Sequence, residues 1–160
     1  MTALVNGMFD TNIFNCILDD RVRLDDFTGR VVAYATHIQR DEINKTSDIG
    51  RREALLRVFR EAVTTSTPTA SFVLDVSRLD EACLGGHEDD VYSALKRDLD
   101  QLNGGKDNNV QDALIAETSI KRGFFLVTDD RDLSTVARKY GGKCLSVSEL
   151  LAQLKGTLAT

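Results

Sequence analysis

The run Phe124-Phe125-Leu126-Val127-Thr128 is apolar until its last residue and leads straight into Asp129-Asp130-Arg131-Asp132. No other stretch limits the fold as much. Unbroken hydrophobicity without polar alternation predicts a strand covered on both faces, the signature of the middle of a parallel sheet. A parallel sheet needs crossover helices, and the rest of the chain supplies them.

A short apolar stretch from about Leu4 to Phe9 enters Asp10-Thr11-Asn12. Ile13, Phe14, Ile17 and Leu18 then follow at helical spacing, with Thr11 or Asn12 as the expected cap. A second strand is predicted at Val31-Val32-Ala33-Tyr34, then a helix from Thr36 to about Lys45 and another from Asp48 to about Thr65. The last presents Leu55, Leu56, Val58, Phe59, Ala62 and Val63 inward. Pro68 precedes an expected strand at Ser71-Phe72-Val73-Leu74. A polar helix runs from about Glu88 to Leu102 and ends at Asn103-Gly104-Gly105. Asp107, Asn108 or Asn109 caps the next helix, Val110 to about Lys121, and Gly123 suits its left-handed stop. A short helix to about Tyr140, a strand from Lys143 to Val147 and a final helix complete the chain. The alternation predicts an α/β protein: a three-layer α/β/α sandwich with a central, mainly parallel sheet, one domain spanning residues 1–160. In such sheets ligands sit beyond the carboxyl ends of the strands.

Composition narrows the function. The net charge is −5, which argues against a bare nucleic-acid-binding module, since phosphate neutralisation wants basic surface. It does not argue against an acidic site that works with divalent cations. Cys16, Cys83 and Cys144 are widely and irregularly spaced, and His37 and His87 match no metal-ligand pattern, so neither a disulfide framework nor a zinc site is expected. With no long apolar run and no basic, apolar leader at Met1–Asp10, a cytoplasmic protein that makes no membrane contact is expected.

The acids carry the chemical signal. Asp10 directly follows the first strand, where an aspartate serves either as a helix cap or as a ligand. Glu42 follows Ile38 by one helical turn and shares its face, while Arg40 and Asp41 turn away from it. Asp112 lies in Val110-Gln111-Asp112-Ala113-Leu114-Ile115-Ala116, a helix apolar almost all round. A charge held beside a core needs a partner or a metal. Asp129, Asp130 and Asp132 crowd the end of the central strand; capping uses one acid, and like charges so close call for a cation. Mg²⁺ and Mn²⁺ take such oxygen ligands and can activate water against a phosphodiester. Arg40, Lys45, Arg51, Arg52 and Arg131 are candidate phosphate contacts.

Four segments in this order resemble the PIN-domain nucleases, in particular VapC-type toxins of bacterial and archaeal toxin–antitoxin pairs. They are Phe9-Asp10-Thr11-Asn12; Thr36 through Glu42-Ile43; Asn109 through Ala116; and Leu126 through Leu133. The resemblance implies a PIN-like fold and a Mg²⁺- or Mn²⁺-dependent endoribonuclease. Asp10, Asp112 and Asp130 would hold metal, and Glu42 would complete the cluster through a bound water. Asp132 would be a further acid, and Thr128 and Asn12 would orient neighbouring carboxylates. It also implies an RNA substrate, products with a 3′-hydroxyl and a 5′-phosphate, a homodimer and a cognate antitoxin. A housekeeping RNA-processing PIN nuclease and a catalytically silent PIN-like binding or assembly domain remain open alternatives. A phosphoacceptor receiver domain would need paired acids at the start and a late strand-end lysine, which this chain lacks.

Overall fold

The structure, a computed structural model, describes residues 3–71, 73, 76 and 91–156. Strands and helices alternate through it: β1 (Val5–Phe9), α1 (Thr11–Leu18), β2 (Val31–Ala35), α2 (His37–Asn44), α3 (Ile49–Ala62) and β3 (Thr65–Ser66). After these come α4 (Val91–Asn103), α5 (Asn109–Arg122), β4 (Phe125–Val127), α6 (Arg131–Lys139), β5 (Lys143–Leu145) and α7 (Val147–Gly156). The strands form one sheet in the order β3-β2-β1-β4-β5, and every neighbouring pair is parallel.

Side chains alternate across this sheet with the period of two that strands impose. Phe9 and Val127 point into a core built with Phe14 of α1, Leu55 of α3 and Leu150 of α7. Met8 and Leu126, their immediate neighbours, enter the opposite core with Leu99 of α4, Leu114 of α5 and Leu133 of α6. Both faces are therefore covered, which is why β1 and β4 read as apolar runs. Helix α2 divides its apolar residues, sending Ile43 to the first core and Ile38 to the second.

Local chemistry departs from the sequence reading at two helix ends. Helix α3 stops at Ala62, short of Thr65, because the threonines that follow find sheet partners. The Thr64 N–H donates to the Ala33 carbonyl, the Thr64 hydroxyl accepts from the Ala33 N–H, and the Thr67 N–H donates to the Ala35 carbonyl. β-Branched residues with side-chain hydroxyls favour such an edge over a helix. The strand expected at 71–74 lies largely outside the described residues, and Ser71 itself is not in a strand. Its hydroxyl donates to Glu117 Oε1 at 2.8 Å. Helix α1 is capped by Asp10 and not by Thr11 or Asn12. Gly123 does close α5, at φ 72°. Among the described residues, no helix is long and apolar enough to cross a membrane.

Candidate metal and nuclease site

Strand order reverses direction between β1 and β4. From β1 the chain winds outward through β2 to β3, then returns to build β4 and β5 on the other side. A crevice forms beyond the strand ends at such a switch point. Phe9 lies opposite Val127 in the ladder, so Asp10 and Thr128 leave the sheet side by side. The Asp10 N–H donates to the Val127 carbonyl at 3.0 Å, and the Thr128 hydroxyl donates to Asp10 Oδ2 at 2.7 Å. Asp10 Oδ1 accepts from the Thr11 N–H at 2.7 Å. Burial raises the Asp10 pKa, the two hydrogen bonds oppose that rise, and the charges of Asp130 and Asp129 add to it.

Glu42 reaches this place from α2, which is fastened to the end of β1. The Thr36 N–H and hydroxyl donate to Gln39 Oε1, and Gln39 Nε2 donates to the Phe9 carbonyl at 3.0 Å. Thr11 joins the two acids, for its N–H serves Asp10 and its hydroxyl donates to Glu42 Oε2. Burial pushes Glu42 up to about 7; the Thr11 hydrogen bond works against this and the Asp10 charge adds to it.

Asp112 arrives on the first turn of α5 and is only 6% exposed. Asn108, the helix N-cap, makes no side-chain capping bond; its Nδ2 donates to Asp112 Oδ2 at 3.1 Å instead. Burial raises Asp112 to about 8, helped by the charges of Asp10, Glu42 and Asp130 in that order, against a small pull from Lys106. Asp130 caps α6, its Oδ1 accepting from the N–H groups of Asp132 and Leu133 at 2.9 and 3.1 Å. Its own N–H donates to the Thr128 hydroxyl at 3.0 Å. Thr128 thus accepts from one acid's backbone while it donates to another acid's carboxylate.

The four acids share one electrostatic field. The carboxylates do not converge on a point: among the described residues, no three His, Cys, Asp or Glu side chains form a group able to hold a metal ion. Asp129 is used otherwise, its Oδ1 accepting from the Val147 N–H at the start of α7. Asp132 is half-buried in the first turn of α6. Asn12 Oδ1 is buried without a hydrogen-bond partner among the described residues, and the same holds for Gln111 Oε1. Of the cations suggested by the sequence, Arg51 is engaged away from the acids, with Asp19 and Asn15. Lys45 stays beside Glu42 and lowers its pKa. Asp41, expected to turn away, lines a recess together with Ile38 and Glu42.

Thr11, Gln39 and Asn108 were not legible as parts of the site. Only the four-residue step from Asn108 to Asp112 carried a signal, since that spacing places both on one helix face.

No protein-family model matches the chain, and no curated protein sequence does. Solved structures do. The PIN domain endonuclease Utp24 aligns at 15% identity over 89% of this chain and 84% of its own, with a TM-score of 0.55. PAE2754 from Pyrobaculum aerophilum aligns at 13% identity over 98% and 99%, also at 0.55. VapBC2 from Rickettsia felis, bound to a DNA fragment from their promoter, aligns at 16% over 89% and 98%, at 0.50. The architecture is the α/β/α sandwich of the PIN-domain nucleases. At these identities the likeness establishes the fold.

Proposed function

We propose that the chain is a divalent-metal-dependent endoribonuclease in which Asp10, Glu42, Asp112 and Asp130 hold the metal. The observation that carries this reading is Asp112. It is a nearly buried carboxylate whose charged form is opposed by desolvation and by three neighbouring acids, so that a bound divalent cation would favour the charged form where otherwise the proton is kept. The donor set fits the group, being all carboxylate oxygen, as Mg²⁺ and Mn²⁺ prefer. Bound there, such an ion would activate a water and neutralise charge building on the phosphate.

The chain's own residues do the positioning. Thr128 sets Asp10 against Asp130, Thr11 sets Glu42 against Asp10, and Asn108 holds one oxygen of Asp112. Asp132 and Asn12 are proposed to support this group, Asp132 from the first turn of α6 and Asn12 from α1. Lys45, beside Glu42, and Arg131, at the start of α6, are proposed to meet RNA phosphates.

Cleavage of single-stranded RNA with Mn²⁺ or Mg²⁺, compared with chelator and with Asp10→Asn and Asp112→Asn, tests the reading. Activity that survives both substitutions would sink it. The VapBC2 neighbour supports a toxin role with an antitoxin partner; a homodimer and a cytoplasmic site of action are part of the same proposal. Growth arrest on expression, relieved by a short reading frame beside the gene, tests the antitoxin; a monomeric mass in light scattering would remove the dimer.

A further inference from the structure

A second recess, of about 570 Å³, lies between α6 and the start of α7, and its lining includes Thr128, Arg131, Ser134, Arg138, Ser146 and Ser148. Thr128 ties it to the acid cluster, since that hydroxyl donates to Asp10 and accepts from the Asp130 N–H. Two acids also line it, and both are spent on the first turn of α7. Asp129 Oδ1 accepts from the Val147 N–H at 3.0 Å, and Glu149 Oε2 accepts from the Ser146 N–H at 3.1 Å. The arginines keep most of their donors. Arg131 is exposed, and its guanidinium makes no hydrogen bond or ion pair among the described residues. Arg138 commits only Nη2, which donates to the Cys144 carbonyl at 3.1 Å and stands 3.9 Å from Glu149. The Ser146 and Ser148 hydroxyl oxygens are 3.2 Å apart, so one proton bridges them and the other stays available.

We propose that this recess receives the sugar–phosphate backbone of the substrate RNA on one side of the cut, with Arg131 nearer the acids and Arg138 farther out. This rests on the nuclease reading. Arginine and hydroxyl donors are the groups that meet phosphate oxygens, and such contacts hold a strand in place without reading its sequence. Arg131 and Arg138 lie on one face of α6, two turns or about 10 Å apart along its axis, so they meet different phosphates of an extended strand. An acidic protein segment would present a similar charge. Thr128 decides for the strand, because it makes the recess continuous with the acids that would cut it.

The test is binding of a short, fluorescently labelled oligouridylate to the full chain in chelator, followed by anisotropy across a range of salt concentrations. Arg131→Gln and Arg138→Gln should each lower the slope of log Kd against log salt by about 0.7, the share of one phosphate contact on a single strand, and weaken binding about fivefold at roughly 0.1 M salt. Arg138→Lys keeps the charge and should keep the slope. Ser148→Glu places an acid in the recess from the first turn of α7, where the helix tolerates one, and should weaken binding even if Arg138→Gln fails to fold. Lys155→Gln, at the far end of α7, is the control and should leave the slope alone. With Mn²⁺, Arg138→Gln should raise KM for cleavage and leave kcat unchanged, as a loss of uniform binding does. Slopes unchanged in both arginine variants, an equal loss in Lys155→Gln, or no saturable binding by the wild type would each overturn the proposal. An oligoglutamate that competes as well as RNA, with the same dependence on the arginines, would overturn it too and assign the recess to an acidic protein segment. If the arginine dependence holds and no RNA is cut, the nuclease reading fails and the recess stands. If RNA is cut while slope and KM ignore both arginines, the recess alone fails.

Discussion

Replacing Asp112 with asparagine removes one charge from the field shared with Asp10, Glu42 and Asp130 and keeps an oxygen for Asn108 Nδ2 to donate to. Asp112 is raised from 3.8 to about 8 in the folded state. Below 3.8 the group is protonated whether the chain is folded or not, so it has no effect on stability there. Between 3.8 and about 8 the unfolded chain releases the proton and the folded chain keeps it, so the native state loses stability steadily as pH rises. At about 1.4 kcal/mol per pH unit this loss has a ceiling of roughly 6 kcal/mol. Glu42, raised to about 7, takes up protons in the same range and relieves part of it. Replacing a repelled buried charge with a neutral group therefore stabilises the metal-free protein by about 1–4 kcal/mol at pH 8. That corresponds to a Tm higher by roughly 3–12 °C for a chain of this size. Melting curves in chelator at pH 4, 6 and 8 measure it. The gap between Asp112→Asn and wild type should be near zero at the lowest pH and widest at the highest, and Mn²⁺ should raise the Tm of the wild type more than that of the variant. A gap independent of pH, or a variant less stable than wild type at pH 8, refutes the reasoning.

Thr128→Val removes the donor to Asp10 Oδ2 and the acceptor for the Asp130 N–H, both in a buried place. We expect about 1–3 kcal/mol of destabilisation and a pH profile of cleavage displaced upward, because that hydrogen bond holds the Asp10 pKa down; an unmoved profile would show that Thr128 does not orient Asp10. Away from the site, Asp98 of α4 accepts from Lys139 Nζ at the end of α6 and from the hydroxyl of Tyr140 just beyond it, both at 2.6 Å, and these bonds lower its pKa to about 2. The stabilisation is present above 3.8 and is lost as pH falls toward about 2. Asp98→Asn should therefore melt lower at pH 7, with the deficit closing in acid and RNA cleavage unaffected at permissive temperature. Gly142→Ala would bring a Cβ within 2.7 Å of the Ala137 carbonyl oxygen, a backbone atom that cannot swing aside. Overpacking of this kind costs about 1–3 kcal/mol, measurable by denaturant melts, and a neutral result would mean the α6–β5 turn yields freely.

How much of this was visible in the sequence depends on whether a residue's role is set by its own neighbours in the chain or by residues far away. Asp112 stood out because an acid in an otherwise apolar helix contradicts its surroundings, and the β4 strand stood out because its run has no polar alternation. Asp10 was ambiguous because capping and ligation ask for the same side chain at the same position. The structure shows it capping α1 through Oδ1 while Oδ2 meets Thr128, 118 positions away. Thr11 looked like one more capping residue; its bond to Glu42 exists only because Gln39 pins α2 to the end of β1. Strand β3 was hidden for a similar reason, since Thr65–Ser66 has no hydrophobic pattern and is extended only because β2 offers it a partner. Register is what such reasoning lacks most. Nothing local states that Phe9 faces Val127 across the sheet, yet that pairing puts Asp10 beside Thr128. A two-residue slip of β4 against β1 would keep every side chain on its own face and leave both cores apolar. It would also carry Thr128 out of reach of Asp10 and separate the acid at the end of β1 from the acid that opens α6. The apolar pattern alone therefore specifies the layers, and the polar bridge through Thr128 specifies which rung of the ladder the two strands occupy.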